Sequence, residues 1–343
     1  MKSGKIKMVL VGLRFGRSIV EGQLLEGPGK EYIELAGVYD MDEQKCMEVS
    51  EQNKLKAYGS WDEILNDPEI EAVGLYTGPN GRADLIRKII CAGKHVMTTK
   101  PFELDPAAAL KVMQEARELN KIVHLNSPGP LPTVEVAQVK KWVEEYNLGR
   151  QTSIHWETYG DYHEKADGSW YDDPVKCPVA PIFRLGIYGI NMIISLSGKV
   201  ADMNVLQSRI RTGRPTPDNA LLSLLFENGS IGTIYASFCI KDGCPYPNGL
   251  KIHYERGTIT IEPNENVANY PPTTVKVTLQ SVDGDQRMEK QAIFKQEETI
   301  GRYQWQNFYE AVRNGAPLPG EVEPEQVAEA IKIIKTMSEM ALI

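Results

Sequence analysis

The chain has 343 residues, 42% hydrophobic and 24% charged, an ordinary globular composition with length for about two domains. Its net charge of −8 advertises no basic face, so neither nucleic acid nor a membrane surface is expected as a partner. No apolar run approaches the roughly 18 residues of a membrane span.

The opening MKSGKIKMVLVG sets Lys2 and Lys5 before an apolar run, as a secretion signal would. The run is too short, and it ends in glycine-containing turn chemistry without a small-residue cleavage site. It therefore reads as the first strand of a cytoplasmic protein. Strand-like and helix-like stretches then alternate. IKMVLV (6–11) is followed by a helix over 15–26, IELAGVYD (33–40) by the polar helix DEQKCMEVSEQN, and LKAY (55–58) by a helix around WDEIL. EAVGLYT (71–77) precedes a helix over 83–93, KHVMTT (94–99) one over 106–120, and KIVHLN (121–126) is the sixth strand. Asp105 is a good N-cap for the 106–120 helix, with Pro106 at its first position. Such alternation predicts a parallel sheet, because each parallel crossover needs a returning segment, usually a helix.

SPGPLP breaks the pattern after residue 127, and the helix TVEVAQVKKWVEEYN follows. Then come RQTSIHWETY, NALLSLLFENG, SIGTIYASFCI, LKIHYERG, TITIEP and TTVKVTLQSV, strands in series with turn signals at FENGS and ERGT. A helix over 183–197 interrupts them, and two helical stretches near 302–314 and 323–342 end the chain. The fold class expected is α/β. Residues 1–126 form a Rossmann domain, and 127–343 form an α+β domain on a large, mostly antiparallel sheet that supplies substrate binding and oligomerisation. Cys46, Cys91, Cys177, Cys239 and Cys244 form no CxxC and read as reduced thiols. His95, His124, His155, His163 and His253 show no HxxxH or HExxH spacing, so no metal site is expected.

The first strand runs into Gly12-Leu13-Arg14-Phe15-Gly16-Arg17 and a helix. The dinucleotide fingerprint GxGxxG belongs here. Its glycines make the tight turn and let backbone N–H groups approach a pyrophosphate. Only Gly12 and Gly16 are present, with Arg14 and Phe15 between them, so the motif alone is weak and an ordinary strand–helix turn stays open. Asp40 ends the second strand 24 residues after Gly16, where an acid reads the adenosine ribose hydroxyls; the other reading is a turn residue. NAD is therefore the expected cofactor, with NADP disfavoured by Asp40. AGKHVMTTKPFELD ends the fifth strand in Lys100-Pro101, and ligands of such sheets sit at the strands' carboxyl ends, which puts Lys100 near the nicotinamide.

With these residues the chain resembles the glucose–fructose oxidoreductase / inositol dehydrogenase (Gfo/Idh/MocA) family over nearly its whole length. The family shows AGKHVxxEKPxA where this chain has Lys100-Pro101, and the resemblance implies a lysine that touches both substrate and nicotinamide. Thr77-Gly78-Pro79-Asn80 is similar to its TPN segment, so Thr77, Pro79 and Asn80 join the cofactor-binding set. NALLSLLFENGSIGTIYASF is similar to its central hairpin and NFYEAVRNGAPLP to its late helix and turn. Thr99 departs from the family's glutamate. The family's DxGxHxxD becomes Arg184-Leu185-Gly186-Ile187-Tyr188-Gly189-Ile190-Asn191, with tyrosine at the usual proton-transfer histidine. A phenol can act as general acid or base when a cation lowers its pKa, and Lys100 or Arg184 is placed to serve. Arg184, Tyr188 and Asn191 fall at i, i+4 and i+7, one helical face. Arg184 and Asn191 are read as substrate-binding, and Arg184 is expected near Lys100 or on a substrate carboxylate.

YGDYHEKADGSWYDD (159–173) sets Tyr159, Tyr162, Trp170 and Tyr171 among carboxylates. Aromatic faces beside polar groups suit a sugar ring, so Tyr159, Trp170 and Tyr171 are candidate substrate residues; a surface loop with aromatic anchors is the alternative. The reading is an NAD-dependent dehydrogenase acting on CH–OH groups of a polyhydroxylated small molecule: a sugar, sugar derivative or cyclitol. Tyr188 or Lys100 takes the proton, and the chain is a homodimer or homotetramer. Two rivals stay open: a dehydrogenase of a non-carbohydrate diol, and a dinucleotide-binding regulator without chemistry.

Overall fold

The apolar stretches of the N-terminal part become six parallel strands in a computed structural model, which describes residues 4–241, 248–263, 274–283, 286–295 and 299–341. They are β1 (Ile6–Val11), β2 (Ile33–Tyr39), β3 (Lys56–Ala57), β4 (Ala72–Leu75), β5 (His95–Thr98) and β6 (Val123–Leu125), in the order β3-β2-β1-β4-β5-β6. The order reverses between β1 and β4, the arrangement that opens a ligand crevice at the strands' carboxyl ends. Val11 pairs with both Tyr39 and Leu75, and Leu75 with Thr98, so β1, β2, β4 and β5 end at one level. Gly12, Asp40, Tyr76 and Thr99 follow these residues directly.

The helices between the strands start where their caps dictate. α2 (Glu43–Asn53) follows Asp42, whose carboxylate accepts from the Lys45 N–H; α3 (Trp61–Asn66) follows Ser60, whose hydroxyl accepts from Glu63. α5 (Pro106–Glu118) follows Asp105, which accepts from Ala107 and Ala108. α4 (Arg82–Cys91) buries Ile86, Ile89 and Ile90 on one face. α1 (Leu13–Ile19) runs on as a π-helical stretch over Val20–Leu25, where the periodicity predicts one uniform helix.

The second sheet contains β7 (Gln151–Tyr159), β8 (Val200–Ser208), β9 (Asn219–Phe226), β10 (Ile231–Ser237), β11 (Asn248–Tyr254), β12 (Gly257–Pro263), β13 (Thr274–Asp283) and β14 (Gln286–Lys295). Its order is β14-β13-β12-β11-β7-β10-β9-β8, antiparallel except for the β7–β10 pair. Alternate residues, Ile154 and Trp156 of β7 and Leu222 and Leu224 of β9 among them, are buried. α6 (Val134–Glu145) and α7 (Ile187–Ser197) pack on this sheet. A Cβ on Gly189 would lie 2.3 Å from the Trp156 ring, so only glycine lets the α7 backbone rest on the indole. The sequence reading did not anticipate β8 and β14. Both are edge strands whose side chains are mostly exposed or half-buried, so no apolar alternation marks them.

α8 (Trp305–Asn314) and α9 (Pro324–Ala341) end the described chain. The chain divides into one unit of residues 1–131 and 303–328 and another of 132–302 and 329–343. This corrects the expected break into 1–126 and 127–343. Trp305, Phe308, Ala311 and Val312 of α8 share a buried core with Ile6, Met8, Leu24 and Ile33, so the late helix is a wall of the first unit. Glu321 fastens the same segment by its contact with His124 Nε2 at 3.1 Å. Cys46, Cys91, Cys177 and Cys239 form no disulfide with one another; Cys244 lies outside the described residues. Among the described residues no helix is long and apolar enough to cross a membrane, and no group of three or more His, Cys, Asp or Glu is placed to hold a metal ion.

Candidate active site

The crevice end of the first sheet is built from the turn between β1 and α1. Gly12 has φ +89°, and a Cβ on it would lie 2.8 Å from the Tyr76 carbonyl carbon and 3.0 Å from the Thr77 nitrogen. A Cβ on Gly16 would lie 2.6 Å from Leu10 Cδ2, so the first turn of α1 sits directly on its strand. These are two of the tasks that the dinucleotide fingerprint gives to glycine: the tight turn and close helix–strand packing. The cradle therefore fits a dinucleotide pyrophosphate at the backbone, despite the missing middle glycine. Asp40 Oδ2 accepts from the Leu13 N–H at 2.6 Å and Oδ1 from the Asp42 N–H at 3.0 Å. The carboxylate is thus held rigidly beside the turn, at the end of β2. Phe15 is half exposed, with its ring 6.2 Å from that of Tyr76. Arg17 is tied to Glu21 and Glu48, each at 2.9 Å.

Lys100 follows β5, and its backbone N–H donates to Asn126 Oδ1 at 3.0 Å. Thr99 Oγ1 contacts the same oxygen at 3.2 Å, and Thr98 Oγ1 donates to the Leu75 carbonyl at 2.6 Å. The lysine loop is therefore pinned on both sides, to β6 through Asn126 and to β4 through Thr98. Two charged residues that the sequence reading missed complete the frame. Arg82, only 1% exposed at the start of α4, donates to the carbonyls of Thr77, Thr99, Pro101 and Phe102. Glu103 accepts from the N–H groups of Gly81, Ala83 and Leu104. Burial pulls the Arg82 guanidinium down to about 10, with Glu103 acting against that shift. Nothing in the spacing of helix α4 marks its first arginine as internal, because a charge in a first turn usually faces water.

In the second unit Tyr188 lies in α7 and Arg184 in a π-helical turn over Ile182–Gly186 that precedes it. Gly301, at φ +85°, packs on the Tyr188 ring, where a Cβ would be 3.0 Å from Cε1. The Ile300 N–H donates to the buried Glu135 carboxylate at 2.9 Å, which fixes the segment against that ring. Asn191 is 7% exposed.

Arg184 departs from the expectation of a cation available to Lys100 or to a substrate carboxylate. Its Nη1 and Nη2 each donate to Glu164 at 2.7 Å, a bidentate pair that neutralises it. Its guanidinium also stacks on the rings of Tyr171 at 4.3 Å and Phe238 at 4.7 Å. Arg214 binds Glu164 as well, at 2.8 Å, together with Asp167 at 2.9 Å and Asp172 at 2.5 Å. Burial acts to raise the Glu164 carboxyl, but the two guanidiniums outweigh it and hold the group below the ordinary range. Trp170 and Tyr171 pack against each other within this cluster, ring centroids 4.2 Å apart and planes tilted by 40°, and Tyr159 ends β7 half-buried. The 159–173 segment is thus an ordered strap held by two arginines, which the isolated motif could not reveal.

Residues 6–127 match the Gfo/Idh/MocA oxidoreductase family with its NAD-binding Rossmann fold, and residues 136–260 match the Gfo/Idh/MocA C-terminal domain. An uncharacterized protein of Saccharomyces cerevisiae is 23% identical over 290 residues, 79% of this chain and 76% of that protein. Levoglucosan dehydrogenase of Pseudarthrobacter phenanthrenivorans is 29% identical over 163 residues, 48% of this chain and 38% of that enzyme. A solved structure of levoglucosan dehydrogenase with NADH and L-sorbose superposes with a TM-score of 0.73 at 17% identity, covering 98% of this chain and 97% of its own. A Desulfitobacterium hafniense oxidoreductase, whose provisional name gives NADPH as cofactor, superposes with a TM-score of 0.79 at 15% identity over 98% and 96% of the two chains. At such identities the superpositions establish the fold alone. With both parts of the chain matched by the family's own domains, and with the Gly12 turn and the Lys100 loop on one sheet edge, the chain belongs to the Gfo/Idh/MocA oxidoreductase family.

Proposed function

We propose that this chain is an NAD-dependent dehydrogenase that interconverts a secondary alcohol and a ketone on a sugar, sugar derivative or cyclitol. The observation that carries the reading is the Lys100 loop, tied by Asn126 and Arg82 to the same sheet edge as the Gly12 turn. NAD, when bound, supplies a hydride acceptor at the nicotinamide. Gly12, Arg14, Phe15, Gly16, Asp40, Thr77, Pro79 and Asn80 are the residues that would hold it. Asp40 accepts hydrogen bonds from a ribose diol and repels a 2′-phosphate, which favours NAD over NADP.

Lys100, as the neutral amine, takes the hydroxyl proton, and the ammonium it becomes hydrogen-bonds the oxygen as hydride leaves. Tyr188 is the second candidate for the proton. Its ring is clamped by Gly301, as a proton-transfer group needs. Asn191, Tyr159, Trp170 and Tyr171 remain candidates for substrate contact. Arg184 acts there through the strap it holds rather than as a free cation. The sugar named in levoglucosan dehydrogenase, and the sorbose in its structure, support a polyhydroxylated substrate.

The outer face of the second sheet exposes Leu206, Leu225 and Ile231. A second copy covering it, as a homodimer or homotetramer, fits the rarity of broad apolar faces on monomers, and light scattering showing a monomer would refute it. A cytoplasmic location is part of the same reading, and fractionation of cells tests it. A panel of sugars, polyols and cyclitols assayed for NAD reduction tests the function. Turnover of a polyol supports it. Tight NAD binding with no alcohol or ketone reacting favours the regulator that the altered residues Arg184, Tyr188 and Asn191 bring to mind.

A further inference from the structure

Arg82 is the most deeply buried arginine among the described residues, and it donates to four backbone carbonyls. The partners fall on two loops. Nη2 serves Thr77, in the loop after β4; Nη1 serves Thr99, Pro101 and Phe102, in the loop after β5. Those loops carry the proposed cofactor-binding residues Thr77, Pro79 and Asn80 on one side and Lys100 on the other. Carbonyls that face one another repel, and a buried carbonyl without a donor is costly. A planar, charged fork answers both from separate nitrogens, whereas an ammonium offers its three donors from a single nitrogen. Glu103 anchors the same corner from beneath, since it accepts from Gly81 and Ala83 on either side of Arg82.

We propose that Arg82 is the positioning residue that sets the spacing of the β4 and β5 loops and thereby places Lys100 for hydride-transfer chemistry. The inference rests on the dehydrogenase reading for its catalytic half only; the loop geometry stands on the contacts themselves. It distinguishes charge from bridging. Arg82→Lys keeps a cation with three N–H donors, but they sit on one nitrogen, where the guanidinium reaches the two loops from two.

The test compares wild type, Arg82→Lys, Arg82→Met and the control Arg87→Met, whose arginine pairs with Asp84 and Glu115 on the outer side of α4. Each full-length variant is followed by thermal melting, NADH titration and hydrogen exchange read by mass spectrometry. The amides of Gly81, Lys100 and Leu104 report the two loops, and those of β1 and β4 report the core. Arg82→Lys should keep core protection, speed exchange of the loop amides roughly tenfold and weaken NADH binding several-fold, while Arg87→Met changes none of these. On any alcohol found by the substrate panel, kcat should fall by roughly 10²-fold with a smaller change in KM, as an ångström-scale misplacement does. Unchanged loop exchange and NADH affinity in Arg82→Lys would overturn the proposal, as would loss of core protection in step with the loops. If no alcohol reacts with wild type, the dehydrogenase reading fails, yet the exchange and NADH arms still decide the bridge.

Discussion

Replacing Gly12 by alanine tests the cofactor turn with two separable penalties. An alanine held at φ +89° is in a region where L-residues lose roughly 1–2 kcal/mol. Its Cβ would also meet the Tyr76 carbonyl carbon at 2.8 Å and oxygen at 2.9 Å, which are backbone atoms of the neighbouring strand end and cannot rotate away. Overpacking of this kind costs about 1–3 kcal/mol. The sum, roughly 2–5 kcal/mol, corresponds to a fall in melting temperature of roughly 4–20 °C at 2–4 °C per kcal/mol. Gly93 is the internal control. It has φ +80° and no heavy atom within 4 Å of an added Cβ, so Gly93→Ala carries the conformational term alone. Melting of both variants, with NADH titration beside it, separates the terms. Gly12→Ala should lose clearly more stability than Gly93→Ala and weaken NADH binding at least tenfold, because the turn must shift where the pyrophosphate lies. Equal melting temperatures, or unchanged NADH affinity in Gly12→Ala, would refute the close-approach argument.

Asp40→Ala should raise the NADP-to-NAD affinity ratio by about tenfold or more, seen by titration with each cofactor, and lower stability by about 1 kcal/mol through loss of the Leu13 cap. Gly301→Ala should press on the Tyr188 ring and lower turnover; unchanged kinetics would show that the ring's placement does not matter. Glu164→Gln should destabilise the second unit by about 1–3 kcal/mol, since it weakens a charged pair with Arg184 and leaves Arg214 with less compensation. The same carboxylate gives a pH signature. Its folded pKa is depressed, so its contribution is complete above an unfolded value of about 4.3 and is lost as pH falls through the lower folded value. Wild-type melting should therefore drop more steeply than that of Glu164→Gln below about pH 4.

What the sequence disclosed follows its physics. β1, β4 and β5 are fully or almost fully buried, so they appear as apolar runs closed by Gly12, Thr77 and Lys100, and the crevice residues could be read from those ends. β8 and β14 lie at sheet edges with little buried surface, and a pattern of alternation could not show them. The π-helical stretches after α1 and before α7 have no separate sequence period, so they were folded into uniform helices. The roles of Arg82 and Arg184 were hidden for another reason. Their partners, the carbonyls at Thr77 and Thr99 and the carboxylate of Glu164, come close only when the chain folds. The placement of α8 in the first core is likewise a long-range fact, carried by Trp305 and Phe308 against residues near the start of the chain.

If Lys100 handles the reacting oxygen of an alcohol, a single substitution shows it. Lys100→Met removes the ammonium while leaving the loop's backbone contacts to Asn126 and Arg82 in place. Steady-state turnover on the best alcohol of the panel, with NADH affinity and melting measured on the same preparation, is the measurement. The expected fall in kcat is about 10²–10⁴-fold, roughly 3–5 kcal/mol of barrier, with NADH affinity and melting temperature nearly unchanged. Near wild-type turnover by Lys100→Met would contradict that role.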